Sequence, residues 1–185
     1  MKIIMKNFFL YLSIFFAFIS CNKKGESTSS PVDSTAVKTK ISALYDQYGK
    51  SNEMVYNQPI SSDLFSPDLK KNIEKAIQIS KEDIEKVKKS AHPDEKPLIF
   101  EGAIFSSLYE GFTDYKIQSM DIHDTTADVI VQFEYNMATP KVVWTDKVHL
   151  INSDGQWKID NIDFDTIGNS KNLTTRLNDF IHNTP

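Results

Sequence analysis

The sequence is poor in metal-binding and disulfide-forming side chains. Its 185 residues contain one cysteine, Cys21. A single thiol cannot form an intrachain disulfide bond or supply a thiolate cluster. The four histidines are His92, His123, His149 and His182. They lack the close spacing of the ligands in a zinc site. We therefore predict no structural metal and no disulfide framework.

The sequence also lacks an excess of basic residues. It has 21 Lys and Arg against 25 Asp and Glu, a formal net charge of −4. Phosphate binding needs a positively charged surface, so we predict no nucleic-acid partner. The lysines between positions 70 and 89 are interspersed with acids at helical spacing. This pattern indicates a solvated, salt-bridged helix face.

Motifs that would mark a cofactor or a catalytic set are absent too. Gly102 and Gly111 have no partner glycines in a phosphate-binding loop. Asp160, Asp163 and Asp165 are not followed by the twelve-residue ligand pattern of a calcium loop. No Ser, His and Asp set is distinguished by its spacing. The sequence therefore predicts no cofactor.

The longest apolar run is too short to cross a bilayer. It extends over residues 8–19 and follows Lys2 and Lys6. A membrane-spanning helix needs about 20 apolar residues. A positive segment followed by a short apolar one is typical of a secretory signal peptide, so residues 1–20 are predicted to be removed.

Phe18-Ile19-Ser20-Cys21 resembles the bacterial lipobox, with Phe18 where leucine is usual. The resemblance implies cleavage between Ser20 and Cys21 and lipidation of Cys21. An ordinary signal peptide with a chance cysteine, or an uncleaved anchor, are the alternatives. The segment after Cys21 lacks the acidic run that directs some lipoproteins to the cell surface. We therefore expect a lipid-anchored protein of the cell envelope, on the periplasmic face of the outer membrane.

Composition divides the rest of the chain in two. Residues 22–39 are rich in Ser, Thr, Lys and Gly, so residues 21–39 are interpreted as a lipidated cysteine with a flexible tether. Residues 40–185 are interpreted as one domain. The apolar spacing also predicts a first helix, capped by Asp33 or Ser34 and ending near Gly49.

Residues 128–164 predict three antiparallel strands in a meander. Val129, Val131, Phe133 and Tyr135 alternate with polar or outward positions, which is typical of a strand with one buried face. A further strand is predicted over residues 115–122. Residues 98–115 are apolar without a clean period and are not assigned.

Helices are predicted on either side of the strands. Ser66-Pro67 begins one helix, residues 81–89 form a further helical piece, and a last helix comes after residues 168–170. Residues 52–66 are interpreted as loop or short helix. The order predicts an α+β fold, with N-terminal helices packed on a curved, cone-like antiparallel sheet and a C-terminal helix.

Three short segments resemble the bacterial lipoproteins that contain domain of unknown function 3828. They are Ile41 to Tyr48, Leu64 to Leu69 and Gly155 to Ile162, and the closing helix from Leu173 to Phe180 fits as well. The resemblance implies a nuclear-transport-factor-2-like (cystatin-like) fold. The family has no established catalytic residues that the resemblance could assign to this chain. Because some proteins of this general shape are periplasmic immunity proteins or accessory envelope lipoproteins, the resemblance implies a role of that kind.

Strand pairing places candidate site residues on the apolar face of the sheet. Pairs of Phe133 with Trp144 and of Val131 with Asp146 put Asp146 on that face. Pairing Leu150 with Trp157 and Val148 with Ile159 then puts Asn161 beside Asp146, with Asp163 one step further. The predicted ligand-pocket residues are Tyr135, Trp144, Asp146 and Asn161.

A carboxylate held on this apolar face has its pKa raised by desolvation and can act as an acid or base. Asp146 and Asp163 are therefore the candidates for catalysis. Against this, a bulge near Asp160 and Asn161 would turn Asp163 outward, and Asp146 could face water at the open end of the cone.

Two classes of function are compatible with these residues. The first is a non-enzymatic envelope module, either an accessory subunit or an immunity protein, that binds another envelope protein or a small ligand. The second is an isomerase-like or dehydratase-like enzyme that uses the acid in the sheet pocket.

Overall fold

The computed structural model describes residues 31–49 and 53–183. The predicted signal peptide, the cleavage site at Ser20 and the lipidation site at Cys21 lie outside these residues. The elements are α1 (Pro31–Tyr48), α2 (Glu53–Asn57), α3 (Pro67–Lys88), β1 (Asp114–Ile122), β2 (Thr126–Tyr135), β3 (Val142–Ser153), β4 (Gln156–Asp163) and α4 (Leu173–Asn183). The predicted α+β fold is confirmed. None of the described helices is long and apolar enough to span a membrane.

Helix α1 begins earlier than composition suggested. It includes residues 31–39, which were assigned to the tether. Val37 is fully buried beside Ile41 and Leu44, so the apolar stripe of this helix includes a residue of that segment. The first turn is also fixed to the sheet, because Trp157 Nε1 donates to Asp33 Oδ1 at 3.3 Å.

Helix α3 is continuous where the sequence suggested two pieces. Ser66 caps it, accepting a hydrogen bond from Leu69 N at 3.3 Å, and Pro67 occupies its first turn as predicted. Ser80 lies within the helix, and its hydroxyl donates to Ala76 O at 2.9 Å. The buried face of the helix contains Leu69, Ile73, Ala76 and Ile77.

The four strands form an antiparallel sheet in the order β1-β2-β3-β4. The predicted β2–β3 register is confirmed, with Phe133 opposite Trp144 and Val131 opposite Asp146. The strands curve, and β1 and β4 carry bulges that bend a sheet.

The predicted β3–β4 register is wrong. Leu150 lies opposite Ile159 rather than Trp157, and Val148 lies opposite Ile162 rather than Ile159. The cause is the hairpin turn: Asp154 and Gly155 have φ of 54° and 78°, which defines a two-residue turn between Ser153 and Gln156.

The bulge predicted in β4 is confirmed. The register shifts between His149 and Leu150, so Asp160 has no partner in β3. The extra residue returns Ile162 to the buried face and places Asp163 opposite Lys147, on the outer face of the sheet.

The core lies between the helices and one face of the sheet. Phe133 is at its centre, with ring centroids 5.0 Å from Tyr45, 4.9 Å from Phe112 and 5.4 Å from Trp144. The unassigned segment between α3 and β1 has no helix or strand before residue 114. It nonetheless contributes Phe100, Ile104 and Phe105 to the core.

Candidate functional site

Asp146 lies on the core face of β3, as the strand alternation predicted. It faces Val131 of β2, and its residue is 1% exposed. Buried aspartates are rare unless their oxygens are hydrogen-bonded. The groups that surround this carboxylate therefore decide what it can do.

Both carboxylate oxygens of Asp146 accept hydrogen bonds from loops. Ser107 N donates to Oδ2 at 2.9 Å, and the Ser107 hydroxyl donates to Oδ1. Asp165 N donates to Oδ1 at 3.0 Å and to Ser107 Oγ at 2.7 Å. The carboxylate thus ties the loop before β1 and the loop after β4 to the middle of β3.

Burial governs the electrostatics of this region. Desolvation raises the pKa of Asp146, and the donors from Ser107 and Asp165 oppose that shift. Burial also raises the pKa of Tyr45, and the nearby charge of Asp146 adds to the effect. The neutral carboxylic acid is therefore favoured more here than in water.

Hydrogen-bonding capacity is left over in the same part of the core. The hydroxyl groups of Tyr45, Tyr48 and Ser106 are buried and have no partner within the described part of the chain. Buried polar groups are usually hydrogen-bonded, so these three hydroxyls are exceptions within the described core.

Among the other predicted pocket residues, Trp144 lies close enough to Asp146 for its indole N–H to lower the pKa of that carboxyl. Trp144 is buried and stacks on Phe133, while Tyr135 is half-buried at the end of β2. Asn161 does not lie beside Asp146, since the β4 bulge pairs it with His149. Its Oδ1 instead accepts from Thr174 N at 3.1 Å and from Thr174 Oγ1 at 3.0 Å. Asn161 therefore holds the first turn of α4.

Asp163 takes part in a cluster on the outer face that the sequence did not reveal. His149 Nδ1 lies 2.6 Å from Asp128 Oδ1, and His149 Nε2 lies 2.8 Å from Asp163 Oδ2. Each ring nitrogen therefore lies within hydrogen-bonding distance of a different carboxylate. Lys147 Nζ is 3.8 Å from Asp128 and 3.6 Å from Asp163.

Strand alternation alone makes His149 an ordinary half-exposed residue, and its side chain is 27% exposed. Its contact with Asp128 follows from the β2–β3 register, in which the two residues lie opposite each other, whereas its contact with Asp163 depends on the shift caused by the β4 bulge. Within residues 31–49 and 53–183 no group of three His, Cys, Asp or Glu side chains is arranged to hold a metal ion. The imidazole instead links β2 and β4 across β3.

Replacing His149 with glutamine is expected to lower the free energy of unfolding by about 1 kcal/mol, because Asp128 and Asp163 lose the imidazole that contacts both of them. Urea denaturation measures this change. The matched control is His123→Gln, since His123 is 60% exposed and its side chain pairs with a single carboxylate among the described residues, that of Asp121 at 3.4 Å. Equal effects of the two substitutions would contradict a specific role for His149.

Surface grooves are present elsewhere on the domain. One of about 220 Å³ is lined by residues near the start of α3 and by Lys158. Another of about 540 Å³ lies at the end of α3 and is lined by Leu98 and its neighbours. Asp146 lines neither of them.

The comparisons with known proteins give little guidance. No family model and no curated protein matches the chain. A solved structure from Campylobacter jejuni, named an NTF2-like transpeptidase, aligns with 71% of this chain and 98% of its own at 16% identity and a TM-score of 0.30. Similarity at this TM-score supports no inference about function or catalytic residues.

Proposed function

We propose that this protein is a lipid-anchored module of the bacterial cell envelope whose nuclear-transport-factor-2-like domain binds a partner protein and carries out no catalysis. One observation favours a binding function over a catalytic one. The only acid on the core face, among the described residues, has both oxygens occupied by groups of the chain itself.

A general acid or base must come within hydrogen-bonding distance of the substrate. Asp146 is 1% exposed, and the Ser107 and Asp165 groups would have to leave before a substrate could contact it. Asp163, the other predicted candidate, faces away from the core toward Lys147 and His149. The arrangement favours a structural role for both carboxylates.

The anchor is supported by the sequence alone. Nine residues, 22–30, separate Cys21 from the start of α1. A segment of this length spans about 30 Å when fully extended. We therefore infer that the domain is held close to the membrane, with the first turn of α1 and the neighbouring start of β4 on the near side. Each acyl methylene buried in the bilayer contributes about 0.8 kcal/mol to membrane binding, so two or more acyl chains anchor a protein firmly.

Replacing Cys21 with alanine is expected to abolish incorporation of labelled palmitate and to release the protein from the membrane fraction. Labelling followed by fractionation measures both. Phe18→Leu is the control, since it restores the usual lipobox residue and should label at least as well as wild type. Equal labelling of wild type and Cys21→Ala would refute lipidation at this site.

Capture from intact cells tests the binding role. A reversible crosslinker applied to cells with the full chain should recover one envelope protein with wild type and far less of it with Cys21→Ala. Recovery of the same background proteins with both variants would contradict a localised partner.

The second candidate is a small-molecule enzyme of the isomerase or dehydratase kind. It is favoured by the raised pKa of Asp146 and by the buried hydroxyls of Tyr45, Tyr48 and Ser106. Native mass spectrometry of wild type and Tyr45→Phe separates the candidates. A small molecule retained by wild type and lost from a folded Tyr45→Phe variant supports the enzyme, and no retained molecule supports the binding module.

A further inference from the structure

The two edge strands of the sheet, β1 and β4, differ in how their outer backbone groups are covered. Beside β4, Ser66 N donates to Ile159 O at 2.8 Å, Ile159 N donates to Leu64 O at 2.8 Å, and Asn172 bridges to Asp163. Strand β1 pairs with β2 and, within the described residues, with no other strand. An edge strand of this kind can pair with another chain.

The bulge in β1 sets which side chains share a face. The register shifts between Ile117 and Ser119, so Gln118 is the extra residue. Ile117 and Met120 both lie on the core face, where they are half-buried. On the outer face the same shift brings Lys116, before the bulge, into line with Asp121, after it; both are exposed.

We propose that β1 pairs in antiparallel orientation with β1 of a second copy of this chain, about a two-fold axis between Gln118 and Ser119. In this register Lys116 lies opposite Asp121 of the second copy. Ile117 lies opposite Met120 of the second copy. Each contact occurs twice by symmetry, so the two sheets join through matched charged pairs on one face and apolar pairs on the other.

The charges of the single chain favour this partner. Asp121 lies opposite Asp128 of β2, so two like charges face each other, and its contact with His123 is a solvent-exposed one at 3.4 Å. Lys116 forms no ion pair within 4.0 Å in the described part of the chain. Its charge is the smallest of the contributions that lower the pKa of Glu134. Lys116 of the second copy would supply the missing cation.

The same charges disfavour neighbouring registers. A shift of two residues in one direction would place Asp114 opposite Asp121 of the second copy, which is repulsive. A shift of one residue would put core-face side chains opposite outer-face ones. Charged side chains and a bulge usually prevent an edge strand from pairing with another chain. In β1 their positions are compatible with pairing in one register.

Disulfide trapping in membranes tests the register. Full-length chains with Lys116→Cys and with Asp121→Cys, carrying different tags, are coexpressed and oxidised. Opposed residues have Cα atoms about 4.5–5.5 Å apart, so the mixed pair should crosslink efficiently. Two Lys116→Cys chains should not crosslink, because position 116 of one copy lies five residues along the strand from position 116 of the other, a distance of about 17 Å. Lys141→Cys with Asp121→Cys is the background control.

Charge reversal tests the same contact without oxidation. Sedimentation of the full chain in detergent should show dimers for wild type, and Lys116→Glu or Asp121→Lys alone should weaken the dimer affinity by about tenfold or more. A mixture of these two variants, or the double variant, should restore dimers. Both substitutions change only exposed side chains, so circular dichroism should report the wild-type fold.

Three results would each overturn the proposal. One is a monomeric wild type with no mixed disulfide above the Lys141→Cys background. Another is equal crosslinking between two Lys116→Cys chains. The third is a dimer that survives both single charge reversals, since that dimer would use another surface.

Discussion

Replacing Asp146 with asparagine is expected to lower the free energy of unfolding by about 3 kcal/mol, with a fall in Tm of about 10 °C. The amide of asparagine offers one acceptor oxygen where the carboxylate offers two. One of the buried donors, Ser107 N, the Ser107 hydroxyl or Asp165 N, is then left against an NH₂ group. Such an unsatisfied donor carries the full desolvation penalty.

Urea denaturation of the full chain measures this effect. The matched control is Asp154→Asn, which makes the same chemical change at an exposed turn with φ of 54°, a conformation that asparagine tolerates. We expect the control to change stability by less than about 0.5 kcal/mol. If the two variants were equally stable, the bonds to Asp146 would contribute nothing to folding.

The pH dependence of the Asp146→Asn effect has a defined sign. Burial raises the pKa of Asp146 in the folded protein above the unfolded value of about 3.9. The stability that this group contributes is complete below the unfolded pKa and is lost as the pH rises through the folded pKa. The stability difference between wild type and Asp146→Asn should therefore narrow from pH 4 to pH 7. A widening difference would mean that the hydrogen bonds outweigh burial.

Side-chain period was sufficient to predict much of the fold. The alternation in residues 129–135 and 142–150 leaves one register that puts both apolar sets on one face, and β2 and β3 adopt it. The same reasoning placed Asp146 on the core face. Ser66 and Pro67 marked the start of α3 because their chemistry suits the first turn of a helix.

The β3–β4 register could not be predicted in this way, because two local irregularities act together. A two-residue turn at Asp154 and Gly155 shifts the pairing, and the bulge at Asp160 reverses the faces on which the last residues of β4 lie. As a result Asn161 pairs with His149 instead of lying beside Asp146. The contact of His149 with Asp163 depends on the same bulge and was hidden for the same reason, whereas Asp128 lies opposite His149 in the predicted β2–β3 register.

The irregular segment between α3 and β1 has no period to detect. Its backbone groups bond to side chains far away in sequence. Phe100 N donates to Ser80 Oγ at 2.9 Å, and Tyr56 Oη donates to Phe100 O at 2.8 Å. Ser107 N donates to Asp146. Sequence separations of twenty to forty-four residues in these bonds leave no local signal.

Arg176 of α4 is a half-buried anchor of this segment, and we expect its replacement by methionine to be strongly destabilising. Its Nη1 donates to Ala103 O and its Nη2 to Glu101 O, both at 2.9 Å. The guanidinium carbon lies 5.3 Å from the centroid of the Phe100 ring, and burial lowers the pKa of this side chain. Methionine fills similar space but leaves both carbonyls without their donors.

We expect Arg176→Met to lower the free energy of unfolding by about 2–3 kcal/mol and Arg176→Lys to recover only part of it, because an ammonium cannot reproduce the planar fork that reaches two carbonyls. Hydrogen exchange should increase first in residues 98–113, before the strands are affected. Lys171→Met, an exposed change just before α4, is the control and should leave exchange unchanged. Uniform loss of protection across the domain, or none at all, would mean that Arg176 does not hold this segment in place.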